Sequence, residues 1–103
     1  MALCVCVGQA GAVEPTQEFS KRIDQLEARI TMPVGARDLH AYTRYYAQTG
    51  GLLDAVFIAG VDEVRIVSLD QLPQIFDGGC DVVHAKYDLA TGHIQSIFCN
   101  GRG

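Results

Sequence analysis

Apolar residues recur along this chain with two different periods, and the change of period divides it into elements. Between residues 16 and 31, Phe19, Ile23, Leu26 and Ile30 are spaced by four, three and four. That is the single apolar stripe of an amphipathic helix. Thr16 can cap it, and Glu18 lies in the first turn, where the helix dipole favours negative charge. Met32-Pro33 predicts its end, because the residue before a proline avoids helical backbone. Ala36 to Ala41 reads as a further turn of helix. From Tyr42 the period becomes two, the signature of strands. Tyr42 to Gln48, Leu53 to Ala59, Glu63 to Leu69, Asp81 to Tyr87 and His93 to Asn100 form such runs. Asp70 to Phe76 leaves the sheet and is expected to plug one end of the core with Leu72, Ile75 and Phe76. The pattern predicts an α+β fold: one N-terminal helix packed on an antiparallel four- or five-stranded meander.

The last two strands flank Asp88-Leu-Ala-Thr-Gly92, a connection of the kind that closes a hairpin with a left-handed residue. Pairing Asp88 with His93 sets Tyr87 against Ile94, Ala85 against Ser96 and Val83 against Phe98 on an apolar face. His84, Lys86, His93 and Gln95 then lie on a wetter one. In this register Cys99 opposes Val82, so Cys80 is one diagonal step away. Gly78 and Gly79 can supply the bend that closes the gap, and a Cys80–Cys99 disulfide is expected. Further back, Asp54 and Arg65 are expected to oppose each other on an exposed face.

The chain has 103 residues, enough for one domain, and a net charge of −4. Residues 1–50 are neutral on balance and residues 51–103 carry the whole excess. With no basic stripe, nucleic acid is not an expected partner. No apolar run approaches a membrane span. Residues 1–13 admit two readings. Met1 to Val7 with Ala10-Gly-Ala12 resembles the end of an abbreviated export signal. Alternatively, Leu3 to Val7 is a first strand. The single domain then covers 14–103.

The concentration of tyrosine and cation at His40, Tyr42, Arg44, Tyr45 and Tyr46 makes this segment the candidate contact surface, with aromatic anchors and hydrogen-bonding tips. The alternative is that the rings fill the core and their hydroxyls reach its edge. No catalytic set and no cofactor motif is recognisable. His84 and His93 lie about 13 Å apart along the expected hairpin, at roughly 3.3 Å per residue, too far to share a metal ion. A thiol–imidazole pair of Cys80 or Cys99 with His84 requires reduced cysteines.

The segments Leu72-Pro-Gln-Ile-Phe-Asp-Gly-Gly-Cys80, Thr91-Gly-His-Ile94 and Cys99-Asn-Gly101, together with Tyr42-Thr-Arg-Tyr-Tyr46, resemble small uncharacterised exported proteins of bacteria. That resemblance implies export, to the periplasm or outside the cell, and a disulfide; it implies no activity. A cytoplasmic location is the alternative. The helix-then-meander order is also similar in outline to cystatin-like folds, without their Gln-x-Val-x-Gly motif. The expected function is a binding or interaction module with a protein partner or a second copy, paired through an edge strand. The alternative is a small-ligand carrier or small enzyme with a pocket between helix and sheet, lined by His40, Tyr42 or His84.

Overall fold

A computed structural model describes residues 17–101. The candidate export signal or first strand, with Cys4 and Cys6, and the Thr16 cap lie outside the described residues. Helix α1 (Gln17–Arg29) is followed by five strands: β1 (Tyr42–Thr49), β2 (Leu52–Ala59), β3 (Glu63–Ile66), β4 (Val82–Asp88) and β5 (His93–Cys99). One helix thus packs on one face of a five-stranded sheet, an α+β fold. The apolar stripe of α1 drives the packing. Ile23 and Leu26 are buried, with Phe19 and Ile30 at the margins of the same core. The sheet contributes Tyr42 and Tyr46, Leu53, Ala55 and Phe57, and Val83, Ala85 and Tyr87, from alternate positions of its three central strands.

The strand order is β3-β1-β2-β4-β5, which departs from a meander at one place. β3 does not return beside β2. It passes under the start of β1 and pairs with it in parallel, Thr43 beside Glu63 and Tyr46 beside Ile66. The hook is short because Gly60 donates its N–H to the Ala41 carbonyl at 2.9 Å. The Thr43 hydroxyl donates to Val61 O at 2.8 Å. A Cβ at Gly60 would stand 3.4 Å from that hydroxyl, in ordinary van der Waals contact. The expected pairing of Asp54 with Arg65 is therefore absent. Asp54 faces Lys86 across β2 and β4, whereas Arg65 pairs with Glu63.

The hairpin of β4 and β5 begins in the expected register, Asp88 with His93 and Tyr87 with Ile94, and then slips by one residue at Gln95. From there Ala85 opposes Ile97 and Val83 opposes Cys99. Because side chains alternate, one extra residue exchanges the two faces of a strand. Ile97 and Cys99 turn inward to the core, and Ser96 and Phe98 turn outward. The slip sets Cys99 opposite Val83, one residue further from Cys80 than expected, but turns its side chain to the inner face. Cys80 and Cys99 form a disulfide with 4.6 Å between their Cα atoms. Gly78 and Gly79, both at positive φ, make the bend that delivers Cys80.

The disulfide closes a loop with a sequence separation of 19. For a loop of that size, Cys80→Ser with Cys99→Ser costs about 3 kcal/mol. Urea unfolding of the double variant against the oxidised protein measures the loss.

Candidate functional site

β1 carries the residues singled out in the sequence, and strand alternation divides them. Tyr42, Arg44 and Tyr46 point toward α1 and are buried, while Tyr45 points to the other face and is half-buried under Arg65, whose guanidinium lies 5.9 Å from the ring centroid. His40 is exposed in a short 3-10 turn, Leu39–Ala41, capped by Asp38. The contact face expected of Tyr42, Arg44 and Tyr46 is thus an interior one. Their rings pack on Phe57, with centroids at 6.4 Å for Tyr42 and 5.9 Å for Tyr46. The Tyr42 hydroxyl donates to Cys80 O at 2.6 Å and accepts from the Arg37 N–H, joining β1 to the disulfide end.

Arg44, only 4% exposed, is the centre of this interior face. Its Nε and Nη2 donate to the two carboxylate oxygens of Glu27 on α1, at 2.9 and 3.1 Å. Its Nη1 donates to Tyr42 O and to Asp62 of the β2–β3 hook, at 2.9 and 2.7 Å. The Tyr46 hydroxyl adds a 2.6 Å bond to Glu27, and His40 Nδ1 lies 3.2 Å from Asp62. Burial alone disfavours the Arg44 cation, but the hydrogen bonds and charges of Glu27 and Asp62 outweigh it and raise its pKa. Burial first, and then the Glu27 charge, push the Tyr46 phenol up. Hydrogen bonds from Arg44 and then His40 hold the Asp62 carboxyl below its ordinary value. The network's inner end, Arg44, Glu27 and Tyr46, is sequestered, and its outer end, Asp62 and His40, is exposed. It is a clasp between helix, sheet and hook.

The opposite face of the sheet is built differently. After β3 the chain runs across it, and Leu72, Pro73 and Ile75 shelter Val56. The connection is held by Asn100, whose Nδ2 donates to Ile75 O and Asp77 O at 2.6 and 2.8 Å. With its amide nitrogen so engaged, Asn100 presents Oδ1 to His84 Nε2 at 3.0 Å, so that ring nitrogen carries the proton. His84 in turn stacks on Phe98, centroids 5.4 Å apart. Between connection and sheet lies a groove of about 410 Å³ lined by Val56, Leu69, Leu72, Ile75, Phe76 and His84, among others. No Lys, Arg, Asp or Glu lines it. At its rim Phe76 is 86% exposed and Leu69 50%, and beside His84 Phe98 is 52% exposed.

His40, Tyr42 and His84 therefore line no common pocket, since His84 and Tyr42 belong to opposite faces. A wider concavity, about 750 Å³, lies at the disulfide end. Its walls are Gly35, Gly78, Gly79 and Cys80 with Asp77, Asp81 and Asn100, and Asp81 is tied to Arg37. Among the described residues no group of three or more His, Cys, Asp or Glu is placed to hold a metal ion. Phe76 and Phe98 were not legible as site residues. The alternation of an unbulged strand puts Phe98 inside, and the apolar run Leu72 to Phe76 reads as a core plug. Among the described residues, no helix is long and apolar enough to cross a membrane. Comparison with protein-family models, curated proteins and solved structures finds no match to the chain.

Two outcomes follow from the clasp. Glu27→Ala leaves Nε and Nη2 of Arg44 without acceptors in the interior, with only Nη1 still paired to Asp62, and costs about 3 kcal/mol; replacing Glu27 and Arg44 together by Leu and Met restores much of that, as chemical denaturation of the two variants against wild type will show. Asp62 has a folded pKa below its unfolded one, so its contribution is complete above about pH 4, the ordinary aspartate value. It is lost as pH falls through the lower folded value. The difference in melting temperature between wild type and Asp62→Asn is therefore constant above about pH 5 and shrinks below about pH 4; a difference that persists unchanged at about pH 2 contradicts the assignment.

Proposed function

We propose that the protein is a small extracytoplasmic binding module whose contact surface is the outer groove, not the tyrosine strand, and that it carries out no chemistry of its own. The observation that supports this most is the exposure of Phe76 and Leu69 on a groove with no charged lining, with exposed Phe98 stacked on His84 of its wall. Large apolar side chains exposed together, on a frame that keeps them from the core, mark interaction sites. The absence of Lys, Arg, Asp and Glu from the lining selects the partner. An uncharged segment of another protein, bearing an aromatic or branched aliphatic anchor, buries there without leaving a charge unpaired. Asn100 ties the connection to His84 of the groove wall before any partner arrives, which lowers the ordering cost of binding. The disulfide supports an oxidising compartment, the periplasm or the exterior.

Selection of peptides from a random displayed library on the oxidised full-length protein tests the reading. Uncharged peptides with one or two large apolar residues are expected, and Phe76→Ser abolishes their binding. Since Phe76 is so exposed, the same substitution changes stability by no more than about 0.5 kcal/mol. Peptides that are charged, or that bind Phe76→Ser as well as wild type, defeat the proposal. So does a stable dimer by light scattering that Phe76→Ser dissociates, which makes the occupant a second copy.

A further inference from the structure

Cations on the described residues fall into two groups. Arg37, Arg44, Arg65 and Lys86 each sit within an ion pair. Lys21, Arg22 and Arg29 sit in none among the described residues, and all three line one cavity of about 350 Å³ between α1 and the β4–β5 turn. In a chain of net charge −4 that segregation calls for a cause. Helix geometry supplies the placement. Lys21, Gln25 and Arg29 recur every four residues, with Arg22 beside them, along one flank of the apolar stripe, while Asp24 and Glu27 take the other flank toward β1. The helix dipole accounts for Arg29 in the last turn but not for Lys21 and Arg22 in the second.

The cavity wall opposite the helix adds a neutral donor. The ring of Tyr87 is buried, yet among the described residues its hydroxyl has no protein partner. Among the described residues no buried side-chain oxygen is left unsatisfied, so this hydroxyl reaches the open space. Gly92, at φ 75°, forms the floor. A Cβ there would lie 3.6 Å from Arg29 Nη1 and 3.7 Å from Tyr87 Oη, so both groups converge over a residue without a side chain. Arg22 is fixed by donating Nη1 to Leu89 O at 3.0 Å, with its other N–H groups uncommitted among the described residues. The one carboxylate on the lining is Glu18; Asp88 lies outside it, with Oδ1 accepting from the Ala90 and Thr91 N–H groups of the turn.

We propose that this cavity is a binding site for the phosphoryl dianion of a small soluble phosphomonoester. Three cations against one carboxylate leave an excess of two positive charges, which matches a phosphomonoester near neutral pH, at about −1.5 to −2. Two guanidinium groups offer the paired donors that suit phosphate oxygens, and the Tyr87 hydroxyl completes a third side. This site is separate from the outer groove and does not rest on the function proposed for that groove.

Titration of the ¹⁵N-labelled full-length protein with inorganic phosphate and with glycerol phosphate, at constant ionic strength, tests it. Saturable shifts are expected at the amides of Lys21, Arg22, Arg29, Thr91 and Gly92, with acetate producing none at equal concentration. Arg29→Ala and Lys21→Ala each weaken binding about tenfold or more, corresponding to loss of one charged contact. Arg65→Ala, which removes a cation elsewhere, leaves it unchanged. Tyr87→Phe removes only the hydroxyl and lowers affinity severalfold with the fold intact, so the test survives if a charge variant unfolds. Linear shifts without saturation, an equal response to acetate, or equal losses in Arg65→Ala and Arg29→Ala overturn the proposal. Binding to phosphatidic acid vesicles that glycerol phosphate does not displace overturns the soluble ligand in favour of a lipid headgroup.

Discussion

Arg44 spends its burial on three connections at once, and the arrangement of the sheet depends on them. A guanidinium removed from water must find acceptors for its N–H groups or the structure loses several kcal/mol. Here α1 supplies Glu27, β1 supplies its own Tyr42 carbonyl and the β2–β3 hook supplies Asp62. None of these elements adjoins the other two in sequence. The helix cannot slide along the sheet without parting Glu27 from Nε and Nη2, and the hook cannot swing to the β2 side without parting Asp62 from Nη1. Apolar contacts between Ile23, Leu26 and the tyrosines supply most of the burial, but such contacts tolerate shifts. The charged clasp is directional and selects one arrangement. The parallel pairing of β3 with β1 follows from it: an Asp62 held at the start of β1 leaves the next four residues running alongside that strand.

At the other end of the molecule the constraint is covalent. The disulfide joins the entry of β4 to the end of β5, and the Tyr42 hydroxyl reaches its backbone at Cys80 O. β1 is therefore tied to α1 by charge through Arg44 and to the cystine by a hydrogen bond two residues earlier. The slip at Gln95 belongs to the same geometry. It turns Cys99 inward, where Cys80 can meet it, and the same one-residue shift turns Phe98 outward onto His84. One local irregularity thus serves both the staple and the exposed aromatic of the outer face.

The helix, its stripe, the strand positions and the Cys80–Cys99 pairing were legible because each depends on local periodicity or on short spacing. What was not legible depends on contacts distant in sequence. A four-residue strand after Gly60-Val-Asp62 carries no signal of which neighbour it will choose, since the choice rests on Asp62 meeting Arg44. The alternation of Tyr42, Arg44 and Tyr46 was readable, and so was the possibility that the rings fill the core. An arginine between them reads as a solvent-exposed position, however, unless the helical carboxylate that neutralises it is known, and Glu27 lies on the polar side of its own stripe. The bulge at Gln95 left no mark in residue type, so Ser96 and Phe98 were assigned to the wrong face. That single residue hides Phe98 from the sequence, whereas Phe76 is hidden by an apolar run, Leu72 to Phe76, that reads as a core plug.

The polar face of α1 looks like an ordinary mixture of charges along the sequence, and only the fold separates them. Glu27 is drawn to one side by Arg44, and Lys21, Arg22 and Arg29 remain on the other, above the β4–β5 turn. In a chain of net charge −4, a recess that gathers the cations without an ion-pair partner among the described residues focuses the local field and draws anions to that point rather than to the surface at large. The outer groove works by the opposite selection, excluding charge from its walls. The two recesses are on opposite sides of the sheet and share no residue. Substitutions in one are then expected to act independently of the other. A module of this size can present an apolar contact on one face and a charged one on the other because the apolar core, the clasp and the cystine, not the recesses, hold the fold together.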